Sequence, residues 1–456
     1  MTTPRTTPKA TPRQVATHQQ ASSGTTAPEP LESRRRAWGL TSLLVFLTVI
    51  NWGDKAVLGI IAQPLSKELG LTASQIGLVG SLFFLTFTIG GFFSGAIARI
   101  TTLRWALAVL ALLWSAAMLP MVITASFAVL VISRMLLGLA EGPSGPLTHT
   151  AAFSWHPPAK RGLPGALLAG SASLAKIAVA PALAFVTVTW GWRAAVVCMA
   201  VLGVLWCVLW LPLWSQGPYI RGGKRREEAG ASAAETDEPA VPWIRIFRTR
   251  TFISCTMLVM AIYAIVAVVL TWLPSYFEVG LGYSRLQAGS MFAFPSIAGL
   301  ILMLILSSSG DRLTSRGATS RLIRIIVPSV GVLVSGMIMV FLPYVSAPAL
   351  AVAIVSVGYG FLASGYPLII ATISEICPPR QTAGTLGVFM AMMGIGGLIG
   401  PYVTGRIVDA ADTPAAGYAT AFQAFGLVAV LFAFGTLIFA NPERDKEIVW
   451  KATSRT

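Results

Sequence analysis

About twelve stretches of this chain are each apolar for the roughly 20 residues that a helix needs to cross a bilayer, and few charges interrupt them. This constrains the fold more than any motif does. In hydrocarbon every backbone N–H and C=O must be paired inside the segment, so apolar runs of that length can fold only as helices. The first six lie between Ala37 and Trp214 and the second six between Phe252 and Ala440. Composition agrees: 55% of residues are hydrophobic, only 11% are charged, and mean hydropathy is +0.73. A soluble domain carries charge on about a quarter of its residues. The expected fold is an all-α membrane protein of twelve transmembrane helices.

One interruption sets the organisation. Between Trp214 and Phe252 the chain turns polar, with a basic run at Arg221, Lys224, Arg225 and Arg226 followed by Glu227, Glu228, Glu235, Asp237 and Glu238. The spans therefore divide six and six, which predicts two pseudo-symmetric bundles with a site between them at mid-membrane. The expected segments are a disordered tail over 1–36, a bundle over 37–214, a linker over 215–251, a bundle over 252–440 and a tail over 441–456. A faint echo supports the repeat: Gly95-Ala-Ile-Ala-Arg99 follows the second span, and Gly310-Asp311-Arg312 with Arg316 follows the eighth. A short loop of this kind can latch one conformation through an ion pair or a helix dipole.

The net charge of +15 raises the question of nucleic acid, but its distribution answers it. With both termini cytoplasmic, all Lys and Arg fall on the inner side except Lys67, Arg193, Arg285 and Arg406 outside, and Lys55, Arg134 and Lys176 within the membrane. That is the positive-inside pattern of a multi-pass cell-membrane protein. No nucleic-acid partner is expected. Residues 1–36 lack the apolar core and cleavage site of a signal peptide. The four cysteines show neither metal-site nor disulfide spacing.

Five ionisable side chains sit where hydrocarbon is expected: Asp54, Lys55, Arg134, Glu141 and Lys176. Each costs about 2.5–3.5 kcal/mol at a helix centre before pairing, and all five lie in the first half, as residues lining one wet cavity would. Asp54 and Arg134 fall at similar depth, roughly 10 Å below the outer surface at 1.5 Å per residue, which makes them candidate partners. Glu141, seven residues beyond Arg134, shares its helix face about two turns nearer the cytoplasm. With both carboxylates ionised the cluster carries one net positive charge, so an anion is its natural guest. Proton and anion would then bind in mutual support. Each residue also has a purely structural reading: self-neutralisation for Asp54 with Lys55, a helix staple for Arg134 with Glu141, and a fixed counter-ion of Glu141 for Lys176. The second half offers Tyr263, Trp272, Tyr359, Ser364 and Tyr366 as candidates for reading a substrate's uncharged body, against packing or interfacial anchoring. Its glycines, from Gly384 to Gly400, serve rocking between halves or plain close packing.

The loop Gly310-Asp311-Arg312…Arg316-Gly317 resembles the loop motif of the major facilitator superfamily, and the likeness extends from Trp38 to Pro442. The first copy departs from it, with Ala98 in the acidic position. Asn51-Trp-Gly-Asp54-Lys55-Ala-Val-Leu58 and Arg134-Met-Leu-Leu-Gly138-Leu-Ala-Glu141-Gly-Pro143 resemble the first-span and fourth-span patterns of its anion:cation symporter branch, permeases of sugar acids, phthalate and other organic anions. Trp190-Gly-Trp-Arg193, Thr271-Trp-Leu-Pro274 and Gly417-Tyr-Ala-Thr-Ala-Phe422 are similar as well. The resemblance implies the major facilitator fold, Asp54 and Glu141 as proton carriers, and Arg134 as an anion contact. Lys55 stands where the branch has an arginine, a point charge in place of a bidentate fork.

The expected protein is thus no enzyme but a secondary transporter, acting as a monomer in the lipid bilayer. It imports a small organic anion such as a sugar acid or aromatic acid by alternating access, with proton-coupling residues Asp54 and Glu141. Lys55, Arg134, Lys176, Tyr263, Tyr359 and Tyr366 bind substrate; Gly310, Asp311, Arg312 and Arg316 gate. It needs no cofactor or metal, only a proton gradient, since no phosphate-cradling loop is present. The alternative is a proton-coupled exporter or multidrug antiporter. Against that, Gly170 to Pro181 in the fifth span lacks the antiporter's glycine spacing and carries Lys176 in its middle. His18 lies in the tail, while His149 and His156 are expected to flank a cytoplasmic loop.

Overall fold

The computed structural model describes residues 31–157, 160–219, 241–315, 319, 321–378 and 381–451. Among them are twelve helices long and apolar enough to cross a membrane, and no strand. The spans that build the site are the first (Arg34–Leu69), second (Ala73–Phe92), fourth (Phe127–Phe153), fifth (Gly162–Trp190), seventh (Arg250–Gly280), eighth (Arg285–Met303) and tenth (Pro348–Ile376), while the eleventh (Gly384–Ala410) packs on the second and seventh. Large apolar side chains such as Ile132, Leu136, Val208 and Leu431 are exposed around the bundle, which lipid would cover.

Because the span number is even, both chain ends lie on one face, called here the terminal face; the opposite one is the far face. At the far face the two halves use the same device. Leu69-Gly70-Leu-Thr72-Ala-Ser-Gln75 joins the first span to the second, and Leu281-Gly282-Tyr-Ser284-Arg-Leu-Gln287 joins the seventh to the eighth. Gly70 and Gly282 take positive φ (64° and 78°), a backbone conformation that disfavours side chains. Thr72 and Ser284 then form capping boxes with Gln75 and Gln287, satisfying donors that the helix start would otherwise leave free. This pair is a clearer trace of the internal repeat than the loops after the second and eighth spans.

Within the first half, the second and fourth spans pack backbone to backbone. A Cβ on Gly138 would meet the Phe83 carbonyl, and one on Gly142 the Phe87 carbonyl, so only glycine allows the approach. Between the halves, the first span packs on the seventh, the second on the eleventh, and the end of the fifth on the start of the eighth. These contacts concentrate toward the far face. Gly59 lies against the Leu270 carbonyl, Gly77 against that of Pro401, and Gly289 against Ala184. Tyr402 N–H donates to Ser81 Oγ at 3.0 Å, and Trp272 Nε1 to the Pro401 carbonyl at 2.9 Å. The halves are therefore closed on the far side. Of the eleventh-span glycines, Gly396 and Gly400 abut carbonyls of the seventh span, as close packing expects, whereas Gly387 faces open space.

Some expected boundaries move. Helix begins at Leu31, inside the expected disordered tail, whose residues 1–30 lie outside the described ones. The linker's end contains a short helix, Trp243–Phe247, and the expected terminal tail contains another, Pro442–Lys451. Val241, Ile246, Cys377 and Val449 bury against one another there. The eighth helix runs on to Ser315, so Gly310, Asp311 and Arg312, expected in a gating loop, continue a helix. Arg316, and the side chains of Asp311 and Arg312, lie outside the described residues.

Candidate functional site

The first span brings Asn51 and Lys55 onto one face, four residues apart. The Lys55 ammonium donates to the Asn51 carbonyl at 3.3 Å, to Asn51 Oδ1, and to Glu141 Oε2 of the fourth span at 2.6 Å. An ammonium has three protons, so Lys55 has none to spare. Trp52, Phe83 and Phe87 surround it with ring centroids 5.3, 5.7 and 4.7 Å away, a cation–π cage. The Lys55–Glu141 pair is almost wholly shut off from solvent, with side chains 2% and 0% exposed. Removing one member of such a pair costs about 3–5 kcal/mol because the other charge is stranded.

Asp54 and Arg134 meet differently from the expected side-chain pair. Arg134 Nη1 donates to the Asp54 backbone carbonyl at 2.9 Å, while Asp54 Oδ2 and Arg134 Nε and Nη2 are buried with no hydrogen-bond partner. In a helix the carbonyl points along the axis while the side chain projects outward, so the Asp54 carboxylate need not follow its carbonyl. Glu141 Oε1 and Asn51 Nδ2 are likewise buried and unpartnered. The cluster is incompletely satisfied in this conformation, as a group that must exchange partners would be.

Lys176 is not the counter-ion of Glu141. It lies in a π-helical turn of the fifth span, Ala175–Val179, just ahead of Pro181, which has no N–H to continue the regular ladder. From there its ammonium donates to the Tyr359 hydroxyl of the tenth span at 2.8 Å and sits 4.6 Å from that ring's centroid, bridging the two halves. Among the described residues no carboxylate lies within ion-pair distance of Lys176.

Between the halves, in the mid-membrane region and toward the terminal face, is a cavity of about 510 Å³. Of the residues expected to bind substrate, Lys55, Lys176, Tyr263, Tyr359 and Tyr366 all line it. Arg134 does not; with Asp54 and Glu141 it is packed behind the wall, so in this conformation it meets no guest. Trp272, a further second-half candidate, is also outside the lining, its indole bound to the eleventh span. The side chain of Ser364 lies outside the described residues. Among the lining residues that the sequence does not single out are Trp52 and His149. Trp52 sits inside the first-span motif, two residues before Asp54 and three before Lys55. His149, expected beside a loop, is within the fourth span, where Nδ1 lies 3.0 Å from the Gly145 carbonyl. A polar residue four beyond Gly145 in a helix whose spacing still fits a span is the signal that marks it.

Comparison with known proteins meets this geometry. The family description "Major Facilitator Superfamily" matches residues 44–364 and 321–454, nearly the whole chain. The chain belongs to that superfamily. The transporter is 27% identical over 424 residues to the probable sulfoacetate transporter of Cupriavidus necator, covering 90% of this chain and 95% of that protein. It is 26% identical over 405 residues to the hexuronate transporter of Bacillus subtilis, covering 88% and 94%. In fold it resembles the crystal structure of a D-xylose-proton symporter, with a TM-score of 0.73 at 16% identity over 90% of this chain and 99% of that one. A bacterial homolog of the human lysosomal transporter Spinster gives 0.70 at 16% identity, covering 92% and 98%. The chain is thus a membrane transporter and not an enzyme.

Proposed function

We propose that the transporter imports a small organic anion together with protons, by rocking its two halves about the central cavity. The observation that carries this reading is that two ammonium groups, Lys55 and Lys176, face one cavity while, among the described residues, only Lys55 is neutralised by a buried carboxylate. An anion entering the cavity competes with Glu141 for Lys55. Displaced from its counter-ion and still buried, Glu141 is better off protonated. Anion and proton thus favour each other's binding, and the coupling is reciprocal. Asp54, with its buried and unpartnered Oδ2, is the second proton carrier, and Arg134 holds it in place by its backbone carbonyl. The relatives named for sulfoacetate and hexuronate support an organic acid as the cargo.

In this reading the protein is a monomer in the cell membrane with both termini in the cytoplasm, as the positive-inside bias supports. The proton gradient is its driving force, without a cofactor. The cavity on the terminal face is then the inward-facing state.

The test uses proteoliposomes and radiolabelled organic acids, glucuronate and benzoate among them. An inward proton gradient is expected to drive accumulation. Glu141→Gln and Asp54→Asn should each abolish accumulation while counterflow exchange persists. Gradient-driven accumulation unchanged in both variants refutes the coupling, and accumulation driven only by an outward proton gradient assigns the protein to the antiporters.

A further inference from the structure

The walls of the central cavity describe the body of its guest. Polyhydroxylated acids need many hydrogen-bond partners, and several of the polar groups lining the cavity are engaged already. Thr48 donates to the Leu44 carbonyl at 2.9 Å and Ser144 to the Glu141 carbonyl at 2.6 Å. Asn51 Oδ1 is occupied by Lys55, and a His149 ring nitrogen lies against the Gly145 carbonyl. What remains toward the space is mainly hydrocarbon and ring: Trp52, Phe87, Ile262, Val266, Leu168 and Ile370. A hydroxyl brought from water against such a wall loses its partners and gains none. A flat aromatic ring gains on every face. Two lining groups, Ser296 Oγ on the eighth span and Asn51 Nδ2 on the first, are buried and unpartnered, room for polar substituents on such a ring. The cavity volume of about 510 Å³ falls in the range usual for small-molecule sites.

The charge is equally localised. Lys55 has spent its three protons, whereas Lys176 donates one to Tyr359 and has no carboxylate partner among the described residues. We propose that Lys176 with the Tyr359 hydroxyl forms the seat of the substrate carboxylate and that the aromatic and aliphatic walls hold a flat ring, so that aromatic carboxylates, rather than sugar acids, are the cargo. This rests on the anion reading above and narrows it. The seat also joins the halves, since Lys176 belongs to the fifth span and Tyr359 to the tenth. A carboxylate received there touches both bundles at once, and loading is felt by the elements that must rock. Lys176 belongs to none of the motifs through which the chain resembles its branch; it receives the carboxylate while Lys55 is still held by Glu141, and the anion so seated is the one that then competes with Glu141 for Lys55.

The experiment is a thermal-shift titration of the purified full-length protein with benzoate, phenylacetate, glucuronate, galactarate and the neutral isostere benzamide, followed by competition for uptake in proteoliposomes. Benzoate and phenylacetate are expected to stabilise at concentrations at least about tenfold below those needed for the hydroxylated acids. Lys176→Gln should raise the benzoate concentration required by at least about tenfold, with partial recovery in Lys176→Arg; Tyr359→Phe, which keeps the ring, should raise it about threefold. In uptake these variants should raise KM more than they lower kcat. Glucuronate or galactarate binding as tightly as benzoate overturns the aromatic assignment and leaves the anion reading standing. Benzamide binding as tightly as benzoate overturns the carboxylate seat and the anion reading with it. Stabilisation by none of these acids overturns both. If Lys176→Gln does not fold, Tyr359→Phe carries the same comparison, and unchanged benzoate affinity in it overturns the seat.

Discussion

The far-face closure hangs in part on one side chain, Asp409, at the end of the eleventh span. Its Oδ1 accepts the Ala73 N–H at 2.9 Å and its Oδ2 the Ser74 N–H at 2.8 Å, so a residue of the second half caps the second span of the first. The capping box within that span serves only Thr72 and Gln75, leaving the Ala73 and Ser74 donors to Asp409. A carboxylate at a helix N-terminus also meets the positive end of the dipole. Losing a side-chain cap costs about 0.5–2 kcal/mol, and since Asp409 is exposed and screened, about 1 kcal/mol is a fair central value. When the halves part at the far face, water takes over those donors, so the loss in Asp409→Ala falls on the closed state alone. About 1 kcal/mol shifts the open-to-closed ratio about fivefold. The assay is the rate at which a membrane-impermeant maleimide labels Ser81→Cys, buried in the same seam beside Tyr402. Labelling should rise about fivefold in Asp409→Ala and less in Asp409→Asn, which retains one acceptor. An unchanged or slower rate would refute the clasp.

Three further outcomes follow from the packing and the charges. Glu141→Leu should destabilise the protein by about 3–5 kcal/mol by stranding Lys55, and Lys55→Met in the same chain should recover most of it, read as the thermal unfolding midpoint in detergent; no recovery would mean that the pair is not the source. Gly77→Ala should raise Ser81→Cys labelling by forcing the second span off the Pro401 carbonyl, whereas Gly138→Ala, which collides within the first half, should lower the unfolding midpoint instead. In the terminal helix Pro442–Lys451, burial pushes the Asp445 carboxyl up. The Arg444 guanidinium, the Thr251 N–H and the Thr251 hydroxyl outweigh it and hold that carboxyl below its usual range. A carboxyl depressed on folding contributes stability above its unfolded value of about 3.9 that is lost as pH falls toward the folded one. Unfolding midpoints measured below about pH 5 should therefore drop more steeply in the native protein than in Asp445→Asn; parallel curves would exclude the contribution.

The two halves and the twelve spans were legible in the chain because membrane insertion is a local, nearly additive property of about 20 consecutive residues. The five buried ionisable residues were legible for the same reason: charge stands out against hydrocarbon. The duplicated far-face turns at Gly70 and Gly282 are written in the chain as well, each a glycine followed two residues on by Thr or Ser and three further on by Gln. Partnership was another matter. Asp54 and Arg134 lie at similar depth, yet the arginine reached the backbone; Glu141 took Lys55, 86 residues away; and Lys176 found Tyr359 across the interface, 183 residues away.

Depth is fixed by counting residues from a helix end, so the sequence alone set which level of the membrane each charge occupies. Azimuth is not, because it depends on how each helix is rotated by its neighbours: glycine contacts between the second and fourth spans, and a π-helical turn that re-aims the fifth. Only the packed tertiary structure decided which cation is neutralised and which still faces the cavity.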